Sequence, residues 1–136
     1  MPLPLKRLAL AFFLASVTGC SKDSNAPDAT TNLSGHWVSS DTVDVFTSFD
    51  LVMNQSETGI IKGNWVGTTL ITNGKCDIEY GCAPKNIVTG TNLSLRVDIE
   101  ILGAGSFTGQ LATKELIQGQ IIRFGTVYNL KLRKVN

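Results

Sequence analysis

The sequence predicts an all-β protein, a small antiparallel up-and-down barrel of about eight strands behind a cleaved leader. Three observations carry this. Apolar residues recur at every second position, as in Leu93-Ser94-Leu95-Arg96-Val97-Asp98-Ile99-Glu100-Ile101, the pattern of a strand with one dry and one wet face. Turn residues interrupt such runs at the close spacing of sequential hairpins. No long stretch after the leader has helical periodicity. Short connections let each strand pair with its sequence neighbour, which favours a barrel over a Greek-key sandwich.

The leader occupies residues 1–19. Lys6 and Arg7 form a positive region, Leu8 to Val17 an apolar run, and Val17-Thr18-Gly19-Cys20 closes it. Crossing a bilayer core of about 30 Å takes roughly 20 apolar residues of helix. The run is half that length, as in a signal peptide. The closing four residues resemble the lipobox of bacterial lipoproteins at every position. That resemblance implies diacylglycerol on the Cys20 thiol, cleavage before Cys20, and acylation of the new amino group with a chain such as palmitate. Two or more chains anchor stably, each buried methylene contributing about 0.8 kcal/mol. The resemblance places the protein in the cell envelope. Ser21 stands where an aspartate would resemble an inner-membrane retention signal, which points to the outer membrane.

Residues 20–32 read as the lipidated cysteine and a flexible tether, because Ser21 to Asn32 (SKDSNAPDATTN) offers nothing to a core. The barrel domain then spans 33–136. Its expected strands are 35–40, 48–55, 60–71, 75–80, 86–101 with a break near Gly90, 106–112, 116–123 and 127–135. Turns are expected at Ser56-Glu57-Thr58-Gly59, Asn73-Gly74, Gly103-Ala104-Gly105, Thr113-Lys114-Glu115 and Phe124-Gly125-Thr126.

One local pattern recurs: Ile61-Lys62-Gly63-Asn64-Trp65, Phe107-Thr108-Gly109-Gln110-Leu111 and Ile117-Gln118-Gly119-Gln120-Ile121. Each glycine falls between two inward positions, where a missing side chain lets a strand coil and the facing wall approach. Thr31-Asn32-Leu33-Ser34 also recurs as Thr91-Asn92-Leu93-Ser94, read as shared hairpin grammar. A membrane-spanning barrel would need the opposite alternation, with Arg96, Asp98 and Glu100 facing a pore. Several strands are too short for that, and the ten aromatics of the precursor form no girdle.

Composition narrows the function. Of 136 residues, 43% are hydrophobic and the formal charge is +1. Losing Lys6 and Arg7 leaves ten basic against eleven acidic residues, so no field exists to gather nucleic acid. Cys76 and Cys82 remain as an even pair in an oxidising compartment and are expected to form a disulfide bracing an end loop. Their spacing is not that of a redox Cys-x-x-Cys pair. His36, the single histidine, has no readable nucleophile beside it and is expected to face water, so no catalytic group is assigned and no enzyme is expected. No cofactor or metal site is readable: two thiols and a distant histidine do not hold zinc, and the pairs Asp41/Asp44 and Asp77/Glu79 read as solvated turns.

Gly35-His36-Trp37 resembles the Gly-x-Trp of lipocalins and related calycin barrels, which implies a lipocalin-like barrel. Two functions follow as expectations. One is a cup for a small apolar or amphipathic ligand, lined by Trp37, Phe49, Leu51, Met53, Trp65 and Phe107, since eight strands enclose either a packed core or one small ligand. The other is an interaction module that engages an envelope protein or cell-wall polymer through the disulfide-braced loop 71–85.

Overall fold

A computed structural model describes residues 24–69 and 86–136. The leader, Cys20, the Asn73-Gly74 turn, the strand expected at 75–80, Asp77, Glu79, Cys76 and Cys82 with their expected disulfide, and the loop 71–85 lie outside the described residues. Eight antiparallel strands close into a barrel: β1 Gly35–Ser39, β2 Phe46–Gln55, β3 Ile60–Thr69, β4 Ile87–Leu93, β5 Arg96–Ile101, β6 Gly105–Thr113, β7 Leu116–Arg123 and β8 Thr126–Val135. Each strand pairs with its sequence neighbour, and β1 closes onto β8 through His36 opposite Val135 and Val38 opposite Arg133.

The period of two does what it implies. Along β6, Phe107, Gly109 and Leu111 are buried while Ser106, Thr108 and Gln110 are exposed. Along β5, Val97, Ile99 and Ile101 face inward beneath Arg96, Asp98 and Glu100. The outer wall is mainly polar and the interior apolar, the reverse of a membrane-spanning pore.

Strand ends differ by one or two residues from the sequence reading, and one break is moved. The break expected near Gly90 falls at Ser94-Leu95, where both residues have positive φ (52° and 72°), as a two-residue hairpin turn with the right twist demands. Leu93 is therefore outward and 58% exposed. Gly90 stays within β4, facing in, where an added Cβ would collide with Asp98 O and come within 2.7 Å of Ile99. The alternation ran unbroken through the turn in sequence because Leu95 remains partly packed on the core. The residues expected as one strand, 86–101, are two.

The hairpins sort to two ends. The near end carries Leu33, the turns at 56–59, 94–95 and 114–115, and the end of β8. The far end carries 40–45, 102–104, 124–125, the end of β3 and the start of β4. The segment expected to be a free tether through Asn32 is held from Asn25 onward. Lys114 N donates to Asn25 O at 3.2 Å, and Asn92 Nδ2 to Thr31 O at 3.1 Å. An Asp28 turn, in which Thr30 N donates to Asp28 Oδ1 at 3.0 Å, shapes it. Polar residues without a core contribution can still dock by hydrogen bonding to strand ends, and composition does not report that.

Candidate functional site

The interior was the first candidate. Trp37, Leu51 and Met53 have no surface that a water molecule can reach, and Phe49, Trp65 and Phe107 have 1% each. A cavity holding even one water would leave such surface on its lining. Phe46, Phe49 and Trp65 instead pack ring against ring, with centroids 5.4 to 5.9 Å apart. All six expected lining residues point inward as expected, and among the described residues they pack without water-accessible space between them.

The inward glycines explain why. Gly109 and Gly119 face each other across β6 and β7, and an added Cβ on Gly119 would lie 2.5 Å from Gly109 Cα. The two neighbouring strands leave no room for a side chain there. The Phe107 ring leans over the remaining space, its Cζ 2.6 Å from where a Gly109 Cβ would be. Volume removed by glycine is refilled by a neighbouring ring.

Both ends are capped. At the near end, Leu33 is fully buried and its carbonyl accepts from Trp37 Nε1 at 2.9 Å. Gln55 Oε1 accepts from Leu33 N at 3.1 Å and from Asn92 Nδ2 at 3.0 Å. At the far end, Trp65 Nε1 donates to Leu102 O at 2.9 Å. Arg123 closes that mouth: Nε donates to Asp44 Oδ2 at 2.9 Å, and NH1 donates to Gly103 O at 2.5 Å and to Ala104 O at 3.2 Å. Its guanidinium lies 4.9 Å from the Phe46 ring centre and 4.4 Å from that of Phe124, close enough for cation–π attraction.

His36 faces outward, as its place beside Trp37 implies, with Nε2 2.5 Å from Asp50 Oδ1. Asp41 and Asp44 do not converge: Asp41 Oδ2 accepts from Lys131 N at 2.7 Å while Asp44 serves Arg123. No group of three or more metal-ligating side chains occurs among the described residues.

The apolar surface that remains is at the far end. Phe124 is 84% exposed, and Ile122, Val127 and Leu102 are exposed near it. Ile122 and Val127 are cross-strand partners. A shallow cleft of about 310 Å³ runs between the 102–105 turn and Ile122, Arg123 and Phe124. Phe124 has a positive φ of 48°, a conformation that costs an L-residue about 1–2 kcal/mol and that asparagine or glycine adopts more readily. The positive φ is what the two-residue turn Phe124-Gly125 demands, and the exposure of so large a ring is what sets Phe124 apart. Sequence reading placed Phe124 in a turn but did not single it out, and it missed Arg123. The signal was present: Ile117, Gly119, Ile121 and Arg123 share one parity, so the arginine had to point inward.

Comparison with known proteins finds no family model, no curated protein and no solved structure that matches the chain.

Proposed function

We propose that this is an envelope lipoprotein, anchored by fatty chains on Cys20, whose filled barrel presents its far end to another envelope protein. Exposed Phe124, in a two-residue turn at the end opposite the anchor, carries this reading. Close packing of the described inward side chains argues for a scaffold rather than a carrier. Aromatic residues ringed by aliphatic neighbours are the usual centre of a protein interface. The last residue of β3 and the first of β4, which flank the loop 71–85 nominated by the sequence, lie at this same end. Ser21 after the cysteine favours the outer membrane. The pair of His36 with Asp50 is exposed on the outer wall, and the reading assigns no catalysis.

The test places a photo-crosslinking phenylalanine analogue at position 124, with a control at outward Gln118 on the side wall, in the acylated protein in its own envelope. A discrete protein adduct from 124 alone supports the proposal. No adduct, the same adducts from both positions, or an adduct with cell-wall polymer only, overturns it.

A further inference from the structure

We infer that the near end of the barrel rests on the lipid surface that holds the anchor, so that the molecule stands end-on with Phe124 at its outer tip. This deepens the proposed function and rests on its reading of Cys20 as acylated.

The chain is pinned to the near end from residue 25. Asn25 O accepts from Lys114 N in the β6–β7 turn. Asn32 Nδ2 donates to Gln55 O at 3.4 Å, Asn92 Nδ2 reaches Thr31 O, and buried Leu33 plugs the mouth. Between the acylated thiol and the first pinned residue run five peptide units, which span at most roughly 18 Å. The headgroup layer itself is roughly 5 to 8 Å deep. The near end therefore stays within roughly 10 to 13 Å of the headgroup surface and can reach it.

Confinement alone leaves open whether the barrel stands or lies down, and the surface decides. The side wall carries Asp98 and Glu100 on β5, Thr108 on β6, Gln118 and Gln120 on β7 and Lys131 on β8, all outward, with Val52 and Val66 as exposed aliphatics on β2 and β3. Laying that wall on lipid would strip water from charges. The near-end rim instead exposes Ile60 (49%) and Leu93 (58%), with Lys62 outward beside Ile60. Aliphatic groups with a lysine that can extend to the headgroups suit an interface. Asp28, Glu57 and Glu115 share this end with Lys62, Lys114 and Lys134, so the contact is not driven by charge. Strands of ten residues, tilted about 40° as barrel closure requires, then lift the far end roughly 25 Å clear.

Purified acylated protein in phosphatidylcholine vesicles carrying a headgroup diazirine lipid tests this. After photolysis, labelled peptides are mapped by mass spectrometry. Labelling concentrated on 56–62, 92–96 and 113–116, and sparse on 106–110 and 118–127, supports the inference. Equal yields with and without anionic lipid are expected. A double substitution, Ile60→Ser with Leu93→Ser, changes solvent-facing positions only and should cut near-end labelling several-fold while the protein still floats with the vesicles. Even labelling over wall and far end, or labelling restricted to 20–24 on a protein whose mass shows the acyl chains, overturns it. Absence of the acyl mass, with no flotation, instead defeats the lipoprotein reading on which it stands.

Discussion

Arg123 and Asp44, 79 positions apart in the chain, meet at the far mouth of the barrel, where the guanidinium Nε donates to the carboxylate at 2.9 Å. This pair joins three connections that share no strand. Asp44 belongs to the β1–β2 connection, the carbonyls of Gly103 and Ala104 to the β5–β6 turn, and Arg123 leads into the β7–β8 turn. Arg123 is 5% exposed. Arg123→Ala should therefore lower stability by about 2–4 kcal/mol, since it deprives the carboxylate and two carbonyls of their donor and leaves a void over Phe46. Asp44→Asn keeps an acceptor in place and should cost no more than about half as much. Urea titrations check both through the midpoint at constant slope. An unchanged midpoint for Arg123→Ala would show that the mouth is closed by something else.

Phe124 sits next to this pair, and its substitution separates function from folding. Asparagine accepts a positive φ more readily than phenylalanine, a gain of roughly 1 kcal/mol. The stacking on Arg123 that is lost is worth roughly 0.5–1 kcal/mol at an exposed site. Phe124→Asn should thus leave the melting temperature within a few degrees of the parent, while abolishing partner crosslinking from neighbouring Ile122 replaced by a photoreactive residue. A large drop in melting temperature would mean that Phe124 is a structural cap and not a contact.

Much of the barrel was legible in the sequence, and the limits have physical causes. Alternation placed Trp37, Phe49, Leu51, Met53, Trp65 and Phe107 inward, whereas what crowds glycines 63, 109 and 119 is the backbone of the neighbouring strand and, at 109, the Phe107 ring, not the facing wall. The Ser94-Leu95 turn switches the inward positions from even numbers in β4 to odd numbers in β5, but outward Leu93 is itself apolar, so the turn was hidden inside an ideal strand pattern. Whether the interior is hollow depends on how rings lean over glycine sites, a three-dimensional matter that spacing does not encode. The Thr-Asn-Leu-Ser repeat shows the same limit. Its two copies lie together at the near end, joined by Asn92 Nδ2 to Thr31 O, and no reading of either copy alone would bring them there.

Acidity should test the outer wall. Asp98 is held below the usual carboxylate range, first by its hydrogen bond from Arg96 (Nε at 2.8 Å) and then by that from Thr108. A depressed folded pKa means the carboxylate stabilises the fold above its unfolded pKa. That contribution is lost as pH falls from the ordinary carboxylate range through the lower folded value. The pair is largely exposed, so solvent screening keeps the effect to a fraction of a kcal/mol. Asp98→Asn should flatten the acid limb of the melting temperature below about pH 4 and matter less in molar salt. An acid limb of unchanged steepness would assign it to other carboxylates.

The facing glycines of β6 and β7 give a contrast between space and conformation. At Gly119 an added Cβ collides with Thr108 O and with Gly109 Cα, both backbone, so neither can swing aside. At Gly125 the space is open, but φ is +78°. Gly119→Ala should cost about 2–3 kcal/mol or more as the strands separate, and Gly125→Ala about 1 kcal/mol of backbone strain. Thermal unfolding ranks them. Reversed order would mean that the barrel relaxes more easily at its waist than at its turn.

Gln55 decides whether the near-end strap is part of the fold or merely lies on it. Its Oε1 accepts from both Leu33 N and Asn92 Nδ2, and its backbone N donates to Ser34 Oγ at 2.9 Å. Gln55→Leu removes the shared acceptor and leaves a buried peptide N–H unpaired, at a cost of about 1–3 kcal/mol. Gln55→Glu presents an oxygen to the same two donors and should retain most of the stability at neutral pH. Hydrogen exchange distinguishes a local from a global effect. In Gln55→Leu, amides in 25–34 should lose protection far more than those of β5 to β7, because the strap releases before the barrel opens. Uniform loss across all strands would show that Leu33 is integral to the core. Unchanged exchange in 25–34 would show that Trp37 Nε1 and Lys114 N hold the strap without Gln55, and the near end would then keep its short reach to Cys20 in either variant.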